Sequence, residues 1–237
     1  MSRSRAMSWL YLIVLLVMRP TMTASSDDVD DLEAVNLHTS AQFGQPKEIL
    51  EQLANGADIN AYNSRGRTPL HAAAGRDAYI HQLLVDRGAD VNARTKDGED
   101  NTVLILLAQY AANAASAADR VEALIEHGAI VNSQNAKGDT AMHWAARRGD
   151  LQLVLLLLDN GGDPNLRESK FGRSPLHEAG MHGHSHVLHE MVKRGADMSM
   201  KDSFGDGKTA TEYIDLMTQH NENKRNGRAS KRNGGEL

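Results

Sequence analysis

The chain contains no cysteine. This excludes a disulfide scaffold, a thiolate-ligated zinc or iron–sulfur site, a cysteine nucleophile and a cysteine-linked lipid. Aromatic residues make up only 4% of the 237 positions, few large anchors for a two-layer sheet protein. Positive charge is not in excess either. A net charge of −5 gives no reason to expect a polyanion as partner. No apolar run reaches the roughly 20 residues of a membrane-spanning helix. What is present is 41% apolar and 24% charged residues, a balance that argues against general disorder.

The first segment differs from the rest. Arg3 and Arg5 precede ten unbroken apolar residues, Trp9 to Met18. As a helix, ten residues cover about 15 Å, half of a hydrocarbon core. Arg19 and Pro20 end the run, and Thr21, Thr23, Ala24, Ser25 and Ser26 follow. A positive start, a short apolar stretch and small residues beyond it read as a signal peptide over residues 1–25. Cleavage is expected between Thr23 and Ser26. The alternatives are an uncleaved membrane anchor and an ordinary core helix. Removing Met1 to Ser25 removes three arginines and no acid, leaving a mature charge of −8.

The body repeats. Gly-Ala-Asp-hydrophobic-Asn recurs at Gly56, Gly88, Gly128 (GAIVN), Gly161 (GGDPN) and Gly195 (GADMS), at spacings of 32, 40, 33 and 34. A second motif alternates with it: Thr68-Pro69-Leu70-His71, Thr102 to Ile105, Thr140-Ala141-Met142-His143 and Ser174-Pro175-Leu176-His177. A degenerate copy starts at Thr209. The residue types explain a helix pair. A Thr68 hydroxyl can cap a helix whose first position is Pro69, where a missing N–H costs nothing. Ala72 to Ala74 keeps that helix slim. A second helix begins at Asp77 or Ala78, with Ile80, Leu83, Leu84 and Val85 as its apolar stripe. Gly88 ends it in the left-handed conformation.

Two motifs in phase, with a period near 33, resemble the ankyrin repeat, over roughly Asp30 to Thr218. The resemblance implies an all-α solenoid of helix-turn-helix units with β-turn fingers. It implies about five repeats over residues 26–220, the first and last acting as caps, followed by a disordered basic tail, 221–237. It also gives His71, His143 and His177 a structural role, bonding backbone and bridging turns. One unit cannot bury its apolar face alone, so stacking makes the core. The first copy lacks the second motif, but Leu32, Val35, Leu37 and Ala41, then Pro46, Ile49, Leu50 and Leu53, fit two helices. Glu33, Asn36, Glu48 and Gln52 would face outward. Leu151 to Leu158 is read as the packed second helix of the fourth repeat, and Trp144 as core.

The middle repeat is stretched, by Gly98-Glu99-Asp100-Asn101 in its finger and by the Ala-rich join Ala111 to Ala118. Ile105 replaces the motif histidine. The extra length reads either as a binding loop or as helix extension by good helix formers.

No catalytic motif is present, so neither enzyme activity nor a cofactor is expected. The densest histidine cluster is His182, His184, His186 and His189; without Cys or acids at ligand spacing, no metal site is assigned. Asp58, Asp90 and Asp197 belong to the repeat motif. The resemblance implies a concave surface of finger tips and first-helix ends that chooses a protein partner. Transferred residue by residue, it gives Ser64, Arg65, Arg67 and Arg76; Ala136, Lys137, Asp139, Arg147 and Arg148; and Lys170, Phe171, Arg173, Met181 and His182. Phe204 lies on the last finger, and Glu99 and Asp100 come from the out-of-register third repeat. Arg with a few exposed Phe and Met is hot-spot composition. The expected protein is an exported, monomeric binding module, periplasmic or secreted, that regulates or inhibits a protein partner. No nucleic acid and no stable membrane insertion after cleavage are expected. The alternatives are a scaffold tethered by its uncleaved leader and a histidine-based metal-binding protein.

Overall fold

Asn36 starts the first helix instead of facing outward: its Oδ1 accepts the amide of Thr39 at 3.0 Å. The structure, a computed structural model, describes residues 36–75, 78–110, 114–216 and 218–219. The leader, Leu32, Glu33, Val35, Arg76, Asp77, residues 111–113 and the tail (221–237) lie outside these. The first repeat comprises α1 (Leu37–Phe43) and α2 (Pro46–Ala54). The second has α3 (Pro69–Ala72), which tightens into a 3₁₀ turn at Ala73–Gly75, and α4 (Ala78–Asp86). Then come α5 (Val103–Tyr110) and α6 (Ala114–Glu126), α7 (Ala141–Arg148) and α8 (Leu151–Asp159), and α9 (Pro175–Met181) and α10 (Ser185–Lys193). Residues 210–216 are helical again. Among the described residues the only extended pairing is the isolated Arg94–Thr102 bridge. The fold is the all-α solenoid the repeats imply.

First helices pack on first helices, α1 on α3, α5 on α7 and α7 on α9. Second helices form their own row, α4 on α6, α6 on α8 and α8 on α10. The two rows bury one apolar core running from Leu37 to Ala210. Leu70, Leu104, Met142 and Leu176, the third residue of each second motif, are all buried in it. Each such side chain contributes roughly 1.5–3 kcal/mol by leaving water. The Leu151 to Leu158 run lies within α8, with Leu153, Val154 and Leu157 buried. Among the described residues no helix is long and apolar enough to cross a membrane.

Polar ladders fix the register between repeats. The His71 Nδ1 accepts the Thr68 amide at 3.3 Å and its Nε2–H donates to the Asn101 carbonyl at 3.2 Å, in the next repeat. His143 makes the same bonds with Thr140 (3.1 Å) and Arg173 (3.1 Å). His177 does so with Ser174 and with the carbonyls of Met200 and Lys208. A second ladder uses the motif asparagine. The Oδ1 of Asn92, Asn132 and Asn165 accepts the amides of Ile130, Asp163 and Asp197, each at 2.8 Å. Their Nδ2 groups donate to the carbonyls of Gly128, Gly161 and Gly195. The final copy carries Ser199, whose hydroxyl turns back onto Asp197. It has no following motif to hold.

In the stretched repeat, α5 ends at Tyr110 and α6 begins at Ala114. Helix α6 has 13 residues against 9 in α4, α8 and α10, so part of the extra length is helix. In the finger, Asp100 takes a left-handed φ of 56°, alone among the described non-glycine residues. That conformation costs about 1–2 kcal/mol outside glycine. Arg94 holds it, donating to the Asp100 carboxylate at 2.6 Å and to the Gln134 carbonyl at 2.9 Å. Ile105 is fully buried and bridges nothing. Instead, the buried Asn135 Nδ2 donates to Asn101 Oδ1 at 2.9 Å and ties the third finger to the fourth.

Candidate partner-binding face

Four of the fingers are each folded around one polar side chain. Asn63 Oδ1 accepts the amides of Arg65 and Arg67, and Asn135 Oδ1 those of Lys137 and Asp139. Glu168 accepts those of Lys170, Phe171 and Arg173, and Asp202 those of Phe204 and Lys208. Neighbouring fingers then join by single backbone bonds. The Lys96 amide donates to Gly66, Ala136 to Glu99, Ser169 to Lys137 and Ser203 to Phe171. Glycine is required at Gly66 and Gly138, where φ is +68° and +79° and a Cβ would sit 2.7–2.8 Å from the next finger's backbone. The fingers therefore form one connected edge beside the first-helix row.

The sequence suggested a face rich in arginine. The structure pairs most of it. Lys137 binds Glu99 at 2.7 Å, Arg147 binds Glu178 at 2.8 Å and Arg173 lies 3.4 Å from Asp202. Arg67 Nε lies 4.0 Å from Asp97. Arg148 donates to the Gln109 carbonyl at 3.1 Å. Arg65 is exposed, and Arg76 lies outside the described residues. Every one of these ion pairs crosses to another repeat, so the pairs fix the face as well as neutralising it.

Two clusters emerge. In the first, the Arg147 guanidinium lies 4.4 Å over the Trp144 ring and also holds Glu178, whose side chain is 3% exposed. Trp144 is thus only partly buried, its outer face under Arg147, and its buried Nε1–H has no acceptor. His182 donates from Nδ1 to the Glu178 carbonyl at 3.0 Å, and Met181 beside it is half-buried. Nearby, burial pushes the Asp139 carboxyl up to about 6, against the pull of Arg147 and with Glu178 and Glu168 adding to it. Arg147 itself is raised: burial lowers it, but the Glu178 hydrogen bond and charge outweigh that.

The second cluster is aromatic. Phe171 and Phe204 meet edge to face, centroids 5.4 Å apart. The Arg173 guanidinium lies 4.5 Å from the Phe171 ring, 5.8 Å from Phe204 and 6.0 Å from Tyr213. Asp202 closes the box, accepting from Arg173 and from the Tyr213 hydroxyl at 2.5 Å. Burial pushes the Asp202 carboxyl up, but these bonds and two finger amides outweigh it and leave it below the ordinary value. Trp144, Glu178, Asp202 and Tyr213 were not picked out as members of the face from sequence. Glu178 and Trp144 do share a place, directly after the motif histidine, and that repeat register was the available signal.

Three histidines of the cluster, His182, His184 and His186, are committed to backbone. His184 Nε2–H donates to Arg147 at 3.1 Å and His186 Nε2–H to Gly149 at 3.4 Å. Burial lowers His184, as do its histidine neighbours. Among the described residues no group of three or more His, Cys, Asp or Glu is placed to hold a metal.

Comparison with known proteins fits this architecture. A family model for ankyrin repeats, of three copies, matches residues 37–117 and 108–202. Over 136 residues the chain is 38% identical to neurogenic locus notch homolog protein 2 of human and mouse, and 35% identical to neurogenic locus notch homolog protein 1 of zebrafish. That stretch is 56% of this chain and about 5% of the length of these relatives. Repeats of this kind are protein-interaction modules and are generally non-enzymatic. With its paired motifs, its helix rows and the family match over most of its length, this chain belongs to the ankyrin-repeat family.

Proposed function

We propose that the mature chain is exported and binds a protein partner through its finger and first-helix face, regulating or inhibiting that partner. The observation that carries this reading is the set of inter-repeat ion pairs, Lys137–Glu99, Arg147–Glu178 and Arg173–Asp202. They order long side chains on one face before any partner arrives, which lowers the entropy cost of binding. Export is supported by the leader pattern of residues 1–25. On this reading residues 26–220 are the binding domain, monomeric, and 221–237 a solvated basic tail.

Affinity capture from periplasmic and secreted extracts, read by mass spectrometry, tests it. The chain should retain a defined protein, and Lys137→Glu with Arg148→Glu should weaken that capture while the exposed pair it breaks lowers the melting temperature by only a few degrees. Equal capture by the variant would remove this face as the site. N-terminal sequencing tests export: a start between Ala24 and Ser26 agrees, and a start at Met1 in the membrane fraction means a tethered scaffold instead.

A further inference from the structure

The chain is poor in aromatic residues, yet three of the eight in the described residues surround one guanidinium, that of Arg173. Its side chain is 15% exposed, so the box is filled from within. Phe204 on its outer side is 57% exposed. A large ring left in water beside a second ring, on a rigid support, is hot-spot geometry. Phe204 is not part of the buried core.

The uncompensated charge around it is mostly positive. Lys170 lies 4.7 Å from the Phe171 ring, and no carboxylate among the described residues pairs with it. Arg167 and Lys201 are exposed on the same two fingers, where Arg167 donates to the Lys201 carbonyl. The acids within the fingers are occupied: Glu168 by three amides, Asp202 by Arg173 and Tyr213. Of the exposed acids nearby, Glu212 is bonded to Thr209, leaving Asp206. The body as a whole is acidic, so an extended polyanion leaving the patch would pass within a Debye length, roughly 10 Å, of further carboxylates and be repelled. A short segment carrying a few carboxylates would not.

We propose that the Phe171–Phe204 pair is the anchor of the binding face, and that it receives a protein segment in which an apolar or aromatic side chain is flanked by carboxylates. The apolar group covers the exposed face of Phe204, and the carboxylates reach Lys170 and its neighbours. The proposal rests on the protein-binding reading above and specifies its partner.

The test selects phage-displayed random dodecapeptides on the full chain and measures the winners on variants. Expected winners carry acidic residues around an apolar one. They should bind about tenfold or more weakly to Phe204→Ala combined with Lys170→Glu, equivalent to about 1.4 kcal/mol. Lys170→Glu alone, at an exposed side chain, guards against a folding defect and should weaken binding in the same direction. Winners that bind these variants normally but lose Lys137→Glu with Arg148→Glu overturn the anchor and leave the broader reading intact. Basic winners, or no enriched class, also overturn it, as does saturation of the patch by a single-stranded oligonucleotide or anionic vesicles with no effect of Phe204→Ala.

Discussion

His143 joins two repeats through one ring: its Nε2–H donates to the Arg173 carbonyl at 3.1 Å while its Nδ1 accepts the Thr140 amide at 3.1 Å. A proton on Nδ1 would meet an N–H and break that pair. Burial pushes His143 and His71 down to about 4, against the backbone acceptors that favour the charged ring. The unfolded value is near 6.5, so the unfolded chain binds more protons between the two. Stability is then complete above about pH 6.5 and falls as pH drops towards 4, by up to about 3 kcal/mol per histidine. Asp139 acts oppositely: raised to about 6 from 3.8, it favours the folded state as pH falls through 6. Two histidines outweigh one carboxylate. Urea unfolding should give a lower midpoint at pH 4.5 than at pH 7.5, and Asp139→Asn should raise the pH 7.5 midpoint and steepen the decline. A flat profile would contradict neutral histidines.

The asparagine ladder gives a positional prediction. Asn132 bridges to Asp163 and Gly161, whereas Ser199, at the same place in the last copy, bridges to no further repeat. Asn132→Ala should cost about 1–2 kcal/mol. Ser199→Ala should cost no more than a few tenths. Chemical denaturation of the two variants measures the difference.

Ile130 stands where the other copies have Asp58, Asp90, Asp163 and Asp197, each of which accepts the amide two residues on. It is 59% exposed. Ile130→Asp should supply the missing acceptor for the Asn132 amide and stabilise by about 0.5–1 kcal/mol, seen as a higher melting temperature. Destabilisation would mean that Ile130 packs usefully in spite of its exposure.

Arg147 and Glu178 should be coupled. Removing Arg147 leaves a carboxylate that is 3% exposed without its cation. Because Arg147 itself is partly solvated, Arg147→Ala should cost about 1–3 kcal/mol rather than the larger figure for a fully buried pair. Adding Glu178→Gln should recover part of that loss. Strict additivity in the double-mutant cycle would show that the pair does not interact.

How far the sequence carried this reading follows from where each signal lies. The helix starts after Thr68, Thr140 and Ser174, the Pro69 and Pro175 positions, the role of the motif histidines and the packing of Leu151 to Leu158 depend on residues close in sequence or on the repeat period, and these were legible. The pairing of the face was not, because Glu99, Glu178 and Asp202 lie 29 to 38 residues from the cations they hold. Repeat register says which positions stack, but not which rotamers meet. The third repeat hid more: its stretch broke the register, so Arg94 holding Asp100 and the Asn135–Asn101 bridge had no counterpart in the other copies to predict them. Asn36 was misplaced outward because a helix cap and a surface asparagine look alike without the helix start.

The central claim is that the finger and first-helix face selects a protein. Parallel affinity capture with the intact mature chain and with the Lys137→Glu, Arg148→Glu variant, from the same extract and quantified by mass spectrometry, tests it most directly. One protein should be retained by the intact chain and depleted about tenfold or more on the variant, with both chains folded and melting within a few degrees of each other. The same protein recovered in equal amounts on both would contradict it.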